Sequence, residues 1–422
     1  MHQPHDRARR LHPETRSVSE GFDPELSVMA VRPPIYPVST YAFRSAEEMS
    51  HWFRVALGRE QALPGEHASL IYARLNHPNA EMFEEALGSV EKGCAGAAAF
   101  SSGMSAITTA LLTFLRPGDV MVFGRPVYGG THELLQHILP QWNVEVRSAP
   151  GDDLQQLRQA VEAAGERLAV LYLETPANPT LRMLDLSRTS ALLDGLRAAR
   201  PERRPVVVVD NTFLGPVFQS PLLHGADVVV YSATKFLGGH SDLVAGAVSV
   251  RDAELIARVK ATRAFLGTIC EPFTAWMLQR SMATLYLRMI KQSKNASKIV
   301  DVLKAHPAVE RIHYPTLFTG EQARIFASQC SAPGSLIALE LKGGREAAFR
   351  FLNALRIVRL AVSLGGVESL ACHPRTTTAS EMEESELQRC GIVDGLVRLS
   401  IGVEYWRDLA SDLTRALDAA GR

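Results

Sequence analysis

An α/β fold, with a mostly parallel sheet covered by helices and an α+β region after it, is predicted by three observations in the 422 residues. Between Ala97 and Val250, short apolar runs of strand length alternate with amphipathic stretches of helix length, the pattern of crossover-connected parallel strands. The runs end in small, polar or charged residues, and an open parallel sheet collects its ligands at the carboxyl ends of its strands. From about Glu254 the alternation gives way to long helices and then to strands mixed with helices.

Residues 1 to about 27 are polar and basic without apolar periodicity, so they are expected to be a mobile arm or one that orders on a neighbour. The run 32–37, Arg-Pro-Pro-Ile-Tyr-Pro, is extended because three prolines forbid a helix. Such an apolar arm suits an embrace of another subunit. Ser45 caps a helix through Trp52, and Gly58 to His67 reads as a loop. After Tyr72–Asn79 comes an amphipathic helix from about Ala80 to Lys92. Strands are then expected over Ala97–Phe100, Val120–Phe123, Val144–Val146, Leu168–Leu173, Val206–Val209, Val228–Ser232 and Val244–Val250. A helix opened by the turn 101–105 is expected to run to Leu115, with others near Glu133–Leu139, Leu154–Ala164 and Leu186–Ala199. Long helices follow over Pro272–Leu287 and Met289–Leu303, with the boundary to the second region near 286. Beyond it lie strands Ser335–Leu341 and Val397–Ile401 and helices Glu346–Asn353 and Arg407–Ala420. The chain thus divides into an arm and helix over 1–70, a sheet domain over 71–285 and an α+β domain over 286–422.

Composition excludes several classes of function. Basic and acidic residues balance at 45 each with no basic stripe, which argues against nucleic acid as a partner. Five scattered cysteines without a C-x-x-C pair fit free thiols in a reducing compartment. No apolar run reaches membrane-span length, the histidines lack metal-ligand spacing, and the first residues lack a signal peptide's apolar core. A cytoplasmic protein acting on small molecules, without a metal, is the expectation.

Chemistry concentrates where strands end. Val228–Tyr231 runs into Ser232-Ala233-Thr234-Lys235, and Val206–Val209 runs into Asp210. Parallel neighbours would bring an amine and a carboxylate to one crevice. That is what pyridoxal phosphate needs: the lysine holds its aldehyde, and the carboxylate keeps the pyridine nitrogen protonated. Ser232 and Thr234 offer hydroxyls to an adjacent anion. Taken singly, such a lysine is an ordinary solvated residue and such an aspartate a turn former. Ser102-Gly103-Met104 opens a helix directly after a strand, which makes either an anion site or a simple serine cap. Arg398 lies in a strand, where a buried guanidinium needs an anion: the α-carboxylate of a substrate or a structural salt bridge.

These residues sit in seven ordered motifs: SSGMSAI, VYGGTHEL, ETPANPT, VDNTF, YSATKFLGGHSD, SLGGVESL and VRLSIGVE. Over roughly residues 30 to 420 the chain resembles the Cys/Met metabolism family of pyridoxal phosphate enzymes, which includes the cystathionine γ-synthases, cystathionine lyases, methionine γ-lyases and homoserine-ester sulfhydrylases. The resemblance implies an aspartate aminotransferase-like (fold type I) architecture. It makes Lys235 the lysine that holds the cofactor, Asp210 the partner of its ring nitrogen and Tyr128 the ring stacked on it. Asn178 would contact its phenolic oxygen. Ser102, Gly103, Met104, Ser232 and Thr234 would hold its phosphate. Tyr72 and Arg74 match residues that reach the phosphate of a neighbouring subunit, and tetramers built from two such dimers are implied. Arg398, helped by Ser363, would hold the substrate carboxylate, and Glu368 either meets a distal amino group or is a solvated loop residue. Tyr128 or Tyr72 would protonate the leaving group.

The resemblance also has departures. The usual Y-x-R-x-x-N-P-T run reads YARLNHPN, with His77 and Asn79 in place of Asn and Thr. Methionine γ-lyases in the narrow sense resemble Y-G-C-T where this chain has Tyr128-Gly129-Gly130-Thr131, which points away from a dedicated methionine lyase. The loop over 58–67 is longer than the family's. The implied activity is γ-elimination on a homoserine- or homocysteine-derived amino acid (cystathionine, methionine, an O-substituted homoserine or canavanine), releasing a 2-oxo acid with ammonia or homoserine. The alternative is γ-replacement, as in a synthase or sulfhydrylase; an aminotransferase and a non-catalytic cofactor-binding protein are the remaining readings.

Overall fold

The structure, a computed structural model, describes residues 11–56, 59–61 and 70–421. The expected long loop over 58–67 lies mostly outside the described residues.

Seven strands form the main sheet: β1 (Gly96–Phe100), β2 (Val120–Arg125), β3 (Glu145–Pro150), β4 (Leu168–Glu174), β5 (Val206–Asp210), β6 (Val228–Tyr231) and β7 (Gly246–Val250). Their order is β1-β7-β6-β5-β4-β2-β3, parallel throughout except for β7, which runs antiparallel to both neighbours. The cause is visible in β5. Val207 and Val209 enter one hydrophobic cluster while Val206 and Val208 enter another, so alternate side chains feed both faces of the sheet.

The helices covering these faces follow local rules. Helix α1 (Pro13–Ser19) begins where the His12 ring accepts from Glu14 N–H and proline occupies the first turn. The expectation of a mobile arm is therefore corrected for residues 11–27: Ser17 is buried and α1 packs on the helix over 78–90. Helices α2 (Ala46–Ala56) and α3 (Pro78–Val90) follow, then α4 (Gly103–Phe114) and α5 (Leu154–Ala164). The helix expected near Glu133–Leu139 starts earlier, at Gly129, and passes through a π turn over Leu134–Ile138. The stretch 186–199 is two short helices joined by a 3₁₀ turn over Ala191–Leu193, not one continuous helix. Helices α6 (Ala253–Leu266), α7 (Pro272–Met282) and α8 (Leu285–Leu303) lead to the second sheet. Its five strands, β8 (Val309–His313), β9 (Leu336–Leu341), β10 (Arg359–Leu360), β11 (Leu370–Cys372) and β12 (Leu396–Ser400), lie in the order β10-β11-β12-β9-β8.

The two departures in the YARLNHPN run have structural roles. His77 caps α3, its Nδ1 accepting from Ala80 N–H, while Nε2 donates to the Cys270 carbonyl at 2.7 Å. Burial lowers its pKa, consistent with a neutral ring in those roles. Asn79 pins the extended arm: its Oδ1 accepts from Tyr36 N–H and its Nδ2 donates to the Pro34 carbonyl, both at 2.8 Å. Trp276 Nε1 holds the Pro33 carbonyl from the other side. The arm then pairs with the Tyr72 segment through the Thr40–Tyr72 bridge. Leu26, Val28, Met29 and Val31 on the arm stay exposed.

Among the described residues no helix is long and apolar enough to cross a membrane, and no cluster of metal-ligating side chains occurs.

Candidate active site

Three adjacent parallel strands, β4, β5 and β6, end at one crevice. Asp210 closes β5, with Glu174 of β4 and Val230 of β6 opposite it in register. By strand parity Tyr172, Glu174 and Asp210 lie on the face covered by α4. Thr212 N–H donates to Asp210 Oδ1 at 2.9 Å, and Tyr172 Oη approaches Oδ2 at 3.5 Å. Burial raises the Asp210 pKa, against the opposing pull of the Thr212 hydrogen bonds. A cationic ring nitrogen would relieve that carboxylate.

After β6 the chain turns tightly, with Lys235 N–H donating to the Ser232 carbonyl at 3.0 Å and Gly239 N–H to the Lys235 carbonyl at 2.7 Å. Lys235 lines the cavity at the strand ends, and its Nζ donates to Ser363 Oγ at 3.0 Å. Burial, and then the charge of Arg398, lower its pKa. A buried amine flanked by a guanidinium is suited to act as a base or nucleophile.

Opposite stands the start of α4. Ser102 and Ser105 form a capping box, so the Ser102 hydroxyl is occupied by Ser105 N–H. Gly103 and Met104 keep N–H groups that the helix does not use. A Cβ on Gly103 would lie 2.9 Å from Ser232 Cβ, so only glycine lets the helix end approach β6 this closely. The Ser232 hydroxyl makes no hydrogen bond among the described residues. The Thr234 hydroxyl donates to the Ala245 carbonyl at 3.1 Å and must release it to meet an anion. Two helix-end N–H groups, a free hydroxyl and a glycine-cleared gap fit the phosphate of pyridoxal phosphate. With Asp210 for its ring nitrogen and Lys235 for its aldehyde, the donor set fits the whole cofactor.

The second sheet supplies the far wall. Arg398 of β12 is 2 % exposed; its Nη1 donates to Asn178 Oδ1 at 3.1 Å and its Nη2 to the carbonyls of Val362 and Ser363. It forms no ion pair among the described residues. Of the two readings of this arginine, the structural salt bridge is thus not supported: a buried cation faces the cavity with neutral acceptors alone.

Lys235, Asp210, Tyr128, Asn178, Ser102, Gly103, Met104, Ser232, Thr234, Ser363 and Arg398 all line one cavity of about 340 Å³. Tyr72, Arg74 and Glu368 do not line it. Tyr72 is 44 % exposed, and Arg74 is held by the Ala264 carbonyl beside the Tyr72 ring. Glu368 accepts from the Ser241 hydroxyl. Three other residues are given no role by the sequence, although Glu174 and Thr212 lie within the motifs and line the cavity. Tyr172 and Thr212 brace Asp210, and Glu174 accepts from the backbone of Tyr128 and Asn178. Their signal was polar residues two apart, Tyr172 and Glu174, at the end of an otherwise apolar strand.

A family model described as Cys/Met metabolism PLP-dependent enzyme matches residues 14–418. An L-methionine γ-lyase of Pseudomonas deceptionensis is 39 % identical over 407 residues, covering 96 % of this chain and 97 % of that one. A cystathionine γ-synthase of Mycobacterium leprae is 36 % identical over 404 residues, covering 96 % of each. Among solved structures, a cystathionine γ-lyase from Lactobacillus plantarum complexed with L-serine superposes with a TM-score of 0.86 at 31 % identity, covering 97 % of this chain and all of the other. The architecture is accordingly fold type I, and the chain belongs to the Cys/Met metabolism family of pyridoxal phosphate-dependent enzymes, which eliminate or replace the γ-substituent of an amino acid.

Proposed function

We propose that the protein is a γ-lyase: it eliminates the γ-substituent of a homoserine- or homocysteine-derived amino acid and releases a 2-oxo acid and ammonia. The observation that carries this reading is the buried guanidinium of Arg398, without an ion pair among the described residues, in the same cavity as Lys235 and Asp210. A planar cation suits an α-carboxylate bidentately, which sets the substrate's Cα beside the lysine amine. The methionine γ-lyase relatives, at 39 % identity and above for the two from Pseudomonas, support elimination over replacement, with the cystathionine γ-synthases at 36 %.

Bound pyridoxal phosphate supplies an aldehyde for the amino group and an electron-withdrawing ring. Asp210 would hold the ring nitrogen in its protonated form. The Gly103 and Met104 N–H groups, with the hydroxyls of Ser232 and Thr234, would bind the phosphate, and Ser102 fixes the helix end that presents them. Tyr128 would supply the aromatic ring beside the cofactor, and Asn178, which holds Arg398, would meet the phenolic oxygen. Lys235 removes the Cα proton and carries protons onward, helped by Ser363, whose hydroxyl orients its amine. Tyr128, or Tyr72 of a neighbouring copy, protonates the departing group. Glu368, set outside the cavity at Ser241, is left to meet the distal end of a long substrate such as cystathionine.

Gly130 bears on the substrate. A Cβ there would stand 2.8 Å from Tyr128 Cε1 and 3.3 Å from Met104 Sδ. A cysteine at this place requires the Tyr128 ring to move, so the space beside that ring differs from that in an enzyme carrying Y-G-C-T. γ-Replacement remains the second reading, favoured by the cystathionine γ-synthase relatives.

We also propose a homo-oligomer, two dimers forming a tetramer, in which Tyr72 and Arg74 complete the cavity of the neighbouring copy. Their position outside their own cavity and the exposed apolar residues of the arm support this. Arg74→Ala should weaken cofactor retention, and mixing it with Lys235→Ala should restore turnover in hybrid dimers, because one site per hybrid keeps both residues. Inactive hybrids, once their formation is verified by mass, would refute the shared site.

A further inference from the structure

Glu174 is a buried carboxylate that the chemistry above does not use. It has no cationic partner among the described residues and lies beside a second buried carboxylate, Asp210, in register. Its two oxygens are divided between two connections: Oε2 accepts from Tyr128 N–H at 2.6 Å, and Oε1 accepts from Asn178 N–H at 3.1 Å. Burial, and then Asp210, push its pKa upward, so the position carries an electrostatic cost. A residue type retained against that cost needs a reason in what it holds. Tyr128 forms the aromatic wall of the cavity. Asn178 Oδ1 carries Arg398 Nη1, which ties the carboxylate-binding cation to the same support.

We propose that Glu174 is a positioning residue, the common splint that fixes the Tyr128 wall and, through Asn178, the Arg398 guanidinium in binding geometry. The proposal rests on the reading of Arg398 as the substrate's carboxylate site. Glutamine is the informative replacement. A carboxyl group presents acceptor oxygens to both N–H groups, whereas an amide presents one oxygen and must aim its NH₂ at the other donor. One of the two loops then loses its hold, with little change in volume.

The test uses the cofactor-loaded protein and L-norleucine, an amino acid with an α-carboxylate and no leaving group, so binding is read from the cofactor's visible band without turnover. Glu174→Gln is expected to keep its melting temperature, to lose amplitude in the visible circular dichroism of the bound cofactor and to raise the norleucine Kd roughly 10-fold, the loss of one hydrogen bond to a charged group. In the Arg398→Ala background the share of the Kd change that runs through Asn178 should vanish, so E174Q should raise Kd less than in the parent, while the dichroism loss through Tyr128 should persist. Unchanged dichroism and Kd in E174Q, or Kd losses that add in the double variant, would overturn the proposal. If E174Q fails to fold, the cycle runs with Glu174→Asp, which keeps the acceptors and withdraws them by one methylene. An Arg398→Ala variant with wild-type Kd would instead strike the carboxylate-site reading, and the dichroism of E174Q then decides the splint by itself.

Discussion

Lys235→Ala is expected to lower turnover by ~10³-fold or more while leaving the fold intact. Among the described residues the lysine is the only primary amine lining the cavity, and its Nζ rests on Ser363 Oγ at 3.0 Å. Its pKa is lowered by burial and by Arg398, so the neutral amine that removes a proton is populated nearer to neutrality than on an exposed lysine. Of the other cavity residues, a guanidinium does not serve as a base, Asp210 is the proposed partner of the ring nitrogen, and Glu174 is held by the N–H groups of Tyr128 and Asn178. The variant should still bind cofactor through the phosphate cradle, but dialysis should remove it, because the covalent attachment is lost. Far-ultraviolet circular dichroism matching the parent would confirm that the loss is chemical. Turnover within tenfold of the parent would contradict the assignment.

Arg398→Ala should act on substrate and spare the cofactor. Each hydrogen bond from a charged group is worth about 1.5–3 kcal/mol. Losing a bidentate hold on a carboxylate should therefore raise KM by ~10²-fold or more. Cofactor affinity should change little, since Arg398 bonds Asn178 and the 362–363 backbone and none of the residues of the Gly103 cradle. Comparable losses in cofactor affinity and KM would refute the role. Removing a buried cation that has no counter-ion among the described residues also relieves its desolvation cost, so a melting temperature equal to or above that of the parent is expected. The same stability gain with unaltered KM would mark Arg398 as a structural residue alone.

Much of this site was legible before any coordinates, for a physical reason. Asp210, Lys235, Asn178 and the Ser102-Gly103-Met104 turn each follow an apolar strand, and a parallel sheet gathers all its carboxyl ends on one side. The alternation sets the direction of the crossings that pass through a helix, but not that of β7, which runs antiparallel. What periodicity does not carry is the far wall. Arg398 and Asn178 are 220 residues apart, and Lys235 and Ser363 are 128 apart, so their meeting depends on how the second sheet docks. The choice between substrate anchor and salt bridge for Arg398 needed the neighbours of its guanidinium, not its place in a strand. Helix boundaries failed where local signals were mixed: His12 and Pro13 begin a helix within a segment that composition marks as polar arm. Glu174 reads as the first residue after a strand ending at Leu173, whereas it closes β4, and its two backbone partners come from different loops.

The central claim, γ-elimination in the Lys235–Asp210–Arg398 cavity, is tested most directly by one titration. O-acetylhomoserine, cystathionine, methionine and canavanine are added in turn to the cofactor-loaded protein, with the visible band and the 2-oxo acid followed in the same cuvette. A band shift accompanied by 2-oxo acid from at least one of them is the expected result, and the productive member names the leaving group. Band shifts without any 2-oxo acid until a thiol or amine is supplied would contradict elimination and make the enzyme a γ-synthase.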